Sequence, residues 1–359
     1  MSWPQKNPTL EAAAVYRARV RGCLLGGAVG DALGYPIEFL SLDRIRTVHG
    51  ERGVTGFVPG AQGAMGLISD DTQMTLFTVE ALIHAHARER IRGIGGAWAQ
   101  MLREAYERWL ETQSRPGPEQ GTPTGGLIDE PWLYSRRAPG NACLSGVAQA
   151  YTPDPWLTLD GKPGQVNPDS KGCGTVMRSA PFGLINSAEG AFDMAARGAQ
   201  ITHGHPTGYY AAGALAAIVA YVVKGDSLEG AVVRTLRLLA RHPGHEETTA
   251  ALEKALDLAA QGPPTAGNVE NLGAGWVAEQ ALAIGVYCAL AEPDVRAALL
   301  LSVNHSGDSD STGSICGNLV GAVHGDVRLP HEWVEQVEGR ARIAAIADDL
   351  AAEFLHQWL

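Results

Sequence analysis

A chain of 359 residues, 45% hydrophobic and 19% charged, has the makeup of a globular protein with a substantial core, which excludes a disordered segment. The length admits one large domain or two. With 39 acids against 28 bases the net charge is −11, and this excludes a general nucleic-acid binder, which needs a basic stripe to displace counterions from phosphates.

Five cysteines, Cys23, Cys143, Cys173, Cys288 and Cys316, lack CxxC spacing and are odd in number, so neither a disulfide framework nor a zinc site is expected. That usage fits a reducing cytoplasm. The stretch from Met1 to Glu11 is polar, and no run reaches transmembrane length free of Gly, Pro or charge. No export and no membrane span are expected.

Helical periodicity recurs along the chain and strand alternation does not. The first predicted helix spans 12–33, where Val15, Val20, Leu24 and Val29 fall largely on one side. Further helices are predicted over 72–88, 95–112, 191–201, 208–223, 228–241, 247–261, 276–290, 295–303, 312–323 and 338–358. The pattern is that of an all-α protein. Two stretches, 113–129 with Pro116, Pro118 and Pro123, and 157–171, read as irregular loops bordering a site rather than as domain linkers. No solenoid repeat stands out.

The 44 glycines exceed the roughly 7% of ordinary chains, and several lie inside helical patterns. Gly22, Gly26, Gly27 and Gly30 in the first helix, and Gly313, Gly317 and Gly321 in a late one, recur mostly at helical-turn spacing. Each costs about 1 kcal/mol relative to alanine, so close packing must offset the loss. These two helices are expected to touch, which would bring Asp31 and Glu38 toward Asp308 and Asp310.

Two acidic tetrads carry the functional signal: Ser69-Asp70-Asp71-Thr72 and Asp308-Ser309-Asp310-Ser311, each ahead of an apolar helical run. Such residues favour helix N-termini, so capping is one reading. A cap needs a single short polar side chain, and each tetrad supplies several. Crowded carboxylates repel unless a cation sits among them, and a hard divalent ion takes oxygen ligands of this kind. A metal-dependent enzyme is therefore the first hypothesis.

Other features admit two readings. The segment from Gly172 to Arg178 is either a nest of backbone N–H groups for phosphate or a simple turn. His203, in Thr202-His203-Gly204-His205-Pro206, is either a ligand-binding residue or a favourable partner of a helix dipole. Glu38 follows Pro36 at a helix C-terminus, where an acid opposes the dipole; a metal, or a water to activate, would explain it. Trp276 and Glu279 open a helix and read as structural.

The motifs, in order, are Gly22 to Gly34, Glu38-Phe39, Ser69 to Met74, Gly172 to Arg178, Thr202-His203, Gly275 to Glu279 and Gly307 to Ser311. From about residue 20 to residue 325 this succession resembles the ADP-ribosylglycohydrolase family. The resemblance implies an all-α, single-domain orthogonal multi-helix bundle over 12–358 behind a polar 1–11 extension. It also implies a dinuclear magnesium or manganese centre in a cleft, and cleavage of the bond joining ADP-ribose to a modified group. Carried over by position, Ser69, Asp70 and Asp71 would ligate one ion, Asp308, Ser311 and Glu38 the other, and Asp310 would bridge. Glu38 would act as base or gate, with Asp310 as the other catalytic candidate. Gly172, Cys173, Gly174, Thr175, Met177, Arg178, His203, Ser306, Gly307 and Ser309 would line the ADP-ribose site.

Ser69 and Ser311 stand where that family usually has threonine, keeping the oxygen while losing the methyl that fixes its rotamer. Glu119, Asp129 and Glu130 are open candidates for a further acid from the 113–130 region. The implied partner is an ADP-ribosylated protein or a small ADP-ribose conjugate, with arginine-linked ADP-ribose first, and serine-linked ADP-ribose or O-acetyl-ADP-ribose second. A non-catalytic ADP-ribose-binding protein and a metal-dependent nucleotide phosphohydrolase are the rivals from other classes; oligomeric state is left open.

Overall fold

Sixteen α-helices and no strand form among the described residues; an isolated bridge between Gly172 and Val277 is the sole β pairing there. The structure, a computed structural model, describes residues 10–60, 63–93 and 95–357. The helices are α1 (Leu10–Gly34), α2 (Leu42–His49), α3 (Asp70–Arg92), α4 (Trp98–Thr112), α5 (Asn141–Val147), α6 (Ala180–Ile185), α7 (Ala188–Ala199), α8 (Pro206–Val223), α9 (Leu228–Leu239), α10 (Glu246–Ala260), α11 (Ala266–Leu272), α12 (Ala278–Ala291), α13 (Val295–Val303), α14 (Ser309–His324), α15 (His331–Gln336) and α16 (Arg340–Phe354). Most of the polar 1–11 stretch, and Trp358 at the expected end of the last helix, lie outside the described residues.

α1 and α14 run antiparallel with their backbones in contact. A Cβ added at Gly22 would strike the carbonyl oxygen of Gly321; at Gly26 it would strike that of Gly317, at Gly30 that of Gly313, and at Gly34 that of Ser309. Every obstacle is main chain, so nothing flexible is there to yield. Asn318 ties the seam laterally, donating from Nδ2 to the Cys23 carbonyl at 2.8 Å. The glycine spacing thus sets helix to helix distance, and with it the separation of the acids at the end of α1 from those at the start of α14.

All 18 residues of α8 are buried, as expected of a helix apolar on every side. By length and composition α8 could cross a membrane, although Pro206, Gly208 and Gly213 interrupt its apolar run. It lies inside the protein, where α6, α7, α9, α12 and α14 cover its faces.

Helix starts differ from the periodicity at both tetrads. α3 begins at Asp70 because Ser69 caps it, its Oγ accepting from Asp71 N, and α14 begins at Ser309 because Asp308 caps it by accepting from Ser311 N. The helices that periodicity missed, α2, α5, α6, α11 and α15, run six to eight residues, too short to repeat an apolar face.

Candidate metal centre

The ends of three helices converge on one cleft of about 200 Å³. Glu38 comes from the 3₁₀ turn Tyr35–Ile37 in which Pro36 follows α1, Asp70 and Asp71 from the first turn of α3, and Asp308, Asp310 and Ser311 from the start of α14. The capping reading of the tetrads holds for Ser69 and Asp308, which cap their helices, and Asp308 also lines the cleft with Asp70, Asp71 and Asp310. Glu38, Asp308 and Asp310 each offer an oxygen within 4.8 Å of the other two, the one such group among the described residues. A larger cavity, about 490 Å³ beside α2 and α13, brings no comparable set together.

Electrostatics match that crowding. Burial first, and then the charge of Asp310, pushes Glu38, Asp70, Asp71 and Asp308 well above the usual carboxylate range; burial also raises Asp310, against hydrogen bonds that lower it. Glu38 Oε2 and Asp71 Oδ1 are buried without a hydrogen-bond partner. Orphaned carboxylate oxygens among five clustered acids fit a hard divalent cation, which accepts carboxylate and hydroxyl ligands together.

Asp31 secures the site from below. Fully buried one turn before the end of α1, its carboxylate accepts from Ser69 N at 2.9 Å, from Thr72 N at 3.1 Å and from Thr72 Oγ1 at 2.5 Å. Burial and the charge of Asp310 push it up to about 7. The first turn of α3, and so Asp70 and Asp71, is therefore held by a side chain of α1.

The opposite wall is Gly172 to Gly174 with Met177, and His203 behind it. The segment is a 3₁₀ turn, not a free nest: Cys173 N donates to Trp276 O, Thr175 N to Gly172 O, and Val176 N and Met177 N to Cys173 O. Cys173 Sγ donates to Asp308 Oδ2 at 2.7 Å, and burial together with that acid raises the thiol pKa, keeping it a donor.

Several residues expected at the ligand lie elsewhere. Arg178 is buried behind the wall, its Nη2 donating to Thr202 Oγ1 and its guanidinium 4.6 Å from the centre of the Tyr106 ring. Thr175 is buried and bonds Gly172 O. Ser306 Oγ accepts from Leu42 N, Gly307 packs on the Ala274 carbonyl at φ 128°, and Ser309 Oγ donates to Gly307 O, so these three shape the loop before α14 and do not line the cleft. The 113–129 loop is not at the site either. Leu127 N donates to Glu80, Glu119 pairs with Arg115, Asp129 accepts from Gly125 N, and Glu130 pairs with Arg342.

Sequence reasoning missed two parts of the cleft. The 138–143 stretch borders it, with Ala138 at φ 52° and Gly140 N–H bonding Asp70; the turn residues Pro139, Gly140 and Asn141 were the available signal. Trp276, read as structural, lies ahead of α12 and stacks on Phe39 with ring centres 5.4 Å apart.

The family model described as ADP-ribosylglycohydrolase matches residues 12–358. This chain belongs to the ADP-ribosylglycohydrolase family. The family is one of hydrolytic enzymes. Among relatives, the ADP-ribosylarginine hydrolase Tri1 of Serratia proteamaculans is 24% identical over 97% of this chain and 83% of its own length. Human ADP-ribosylhydrolase ARH3 is 25% identical over 95% of this chain and 94% of its own. A solved ADP-ribosylglycohydrolase-related protein complex superposes with a TM-score of 0.64 at 21% identity, covering 95% of this chain and 99% of that one, which shows the shared fold.

Proposed function

We propose that this chain is a divalent-cation-dependent hydrolase that cuts the N-glycosidic bond between ADP-ribose and an arginine side chain of a modified protein. The observation that carries the reading is the gathering of Glu38, Asp70, Asp71, Asp308 and Asp310 in one cleft of a chain from this family. Glu38, Asp308, Asp310 and Ser311 would hold one ion, and Asp70, Asp71 and Ser69 a second. Bound Mg²⁺ or Mn²⁺ supplies positive charge for the ribose hydroxyls and acidifies adjacent water.

Rupture of a ribosyl C1 bond builds positive charge on the sugar, and the acids that ring the cleft stabilise that charge. Glu38, whose Oε2 has no protein partner, would take a proton from the attacking water once a bound cation offsets its acidic neighbours and keeps it ionised. Two features favour arginine as the leaving group. A guanidinium is cationic where the cleft is acidic, and its plane stacks on aromatic faces such as the Phe39–Trp276 pair beside Glu38. Five free cysteines, four of them buried, suit a reducing compartment such as the cytoplasm.

The test is incubation with ADP-ribosyl-arginine and ADP-ribosyl-serine peptides, in Mg²⁺ or EDTA, following free ADP-ribose. Release from the arginine peptide that stops in EDTA is expected. Release from serine alone overturns the choice of linkage; phosphate or AMP in place of ADP-ribose points to a phosphohydrolase; release indifferent to EDTA removes the cation from the reaction.

A further inference from the structure

Behind the glycine wall lies a chain of hydrogen bonds that the chemistry above does not use. Arg178 is almost fully buried, and its Nη2 donates to Thr202 Oγ1 at 2.7 Å. That hydroxyl stands 2.7 Å from His203 Nδ1 and 3.3 Å from the Ala199 carbonyl. A hydroxyl has one proton, and the shorter contact is the one within ordinary hydrogen-bond range. If Nδ1 donated instead, the hydroxyl proton would be left with the 3.3 Å carbonyl alone. With the proton on Oγ1 directed at Nδ1, Nδ1 accepts, and a neutral imidazole then carries its own proton on Nε2. Burial, and next the charge of Arg178, push His203 down to about 3, so the ring is neutral near pH 7.

The Nε2 edge faces the cleft. His203 lines it with Gly172 and Gly174, and a Cβ at Gly172 would come within 3.1 Å of Nε2, one at Gly174 within 3.2 Å of Cε1. Glycine at both positions keeps a side chain from crowding that edge. Asn167 Nδ2 fixes the other end of the relay by donating to the Thr202 carbonyl at 2.8 Å.

We propose that Arg178 and Thr202 are positioning residues that lock His203 as the Nε2–H tautomer, making it a neutral donor to an oxygen of the bound ADP-ribosyl group. The identity of that ligand rests on the functional reading above, whereas the tautomer does not. Arg178 thus acts on the ligand through two other side chains and never touches it.

The experiment is a ¹⁵N–¹H correlation spectrum of histidine-labelled protein, together with binding of free ADP-ribose by calorimetry. In the unaltered protein at neutral pH, His203 should show a protonated Nε2 and a bare Nδ1. Thr202→Val removes the hydroxyl at equal volume and should mix the tautomers and weaken ADP-ribose binding about twofold, since only the fraction of rings protonated on Nε2 can then donate to the ligand. Thr202→Ser should restore both. A protonated Nδ1 in the unaltered protein overturns the relay without recourse to any variant, as does an unchanged spectrum in Thr202→Val. Unchanged binding in a Thr202→Val protein whose tautomers have mixed overturns the donation to ligand. Because the spectrum is read without substrate, absence of hydrolase activity would sink the functional reading and not the relay.

Discussion

Replacing Gly317 with alanine tests the seam on which the site is built. In a solvent-facing helix the change would stabilise by up to about 1 kcal/mol, since alanine is the better helix former. Here the new methyl runs into the Gly26 carbonyl and lies 2.9 Å from Gly27 N, both main chain, so α1 and α14 must part. Overpacking of that kind costs about 3 kcal/mol, which leaves a net loss of about 2 kcal/mol after the propensity gain. With an unfolding entropy of about 2.1 cal/mol/K per residue, the melting temperature should fall by roughly 3 °C. Hydrolysis should fall further than stability does, because Glu38 and Asp308 sit at the ends of the two helices being separated. Gly267→Ala is the internal control: it lies exposed in α11 with its nearest foreign atom 3.7 Å from the added Cβ, and should leave the protein equal or slightly more stable. Scanning calorimetry with parallel turnover measurements reads both. A Gly317→Ala protein that melts at or above the unaltered one with full activity refutes backbone contact between α1 and α14.

The acid cluster gives a pH dependence of definite sign. Glu38, Asp70, Asp71 and Asp308 bind protons more tightly folded than unfolded, so without divalent ions stability should fall as pH rises above the unfolded carboxylate value of about 4. In EDTA the melting temperature should be lower at pH 8 than at pH 5, and Mg²⁺ should remove the difference; a flat EDTA profile counts against the clustering. Asp310→Asn should cut ADP-ribose release by about a thousandfold while raising the melting temperature in EDTA at pH 8, because it deletes the charge that raises its neighbours. A variant both inactive and less stable in EDTA would mark Asp310 as a structural residue instead. Trp276→Ala should free Phe39 and the adjoining Glu38; loss of about 1 kcal/mol of stacking predicts roughly fivefold weaker Mn²⁺ binding by calorimetry. Unchanged affinity would detach the stack from the metal centre.

What was legible in the sequence follows from the range of the interactions involved. Glycines four residues apart can lie on one helical face, so the contact between α1 and α14 could be inferred from each helix separately. The tetrads were legible because caps and candidate ligands draw on the same residue types, although the sequence could not show that Asp308 would both cap its helix and face the cleft while Asp71 and Asp310 turn inward beside it. Arg178 was misplaced because its partners, Thr202 and Tyr106, come from distant segments and nothing local says that a cation is buried. Trp276 was misread because helical periodicity ran through it, whereas Val277 is the cap and α12 starts one residue later. The 113–129 loop looked functional by composition, yet Glu80 draws its end to another part of the molecule.

The bond from Asn318 to the Cys23 carbonyl joins residues 295 positions apart. On a ribosome adding roughly 5–20 residues per second, α1 emerges on the order of half a minute before the helix it must lie against. Until then its bare glycine stripe has no mate, Glu38 has no Asp310 to face, and no ion can be gripped. The centre is thus among the last things the nascent polypeptide can complete, and a product cut short before α14 would carry Asp70 and Asp71 with nothing opposite them.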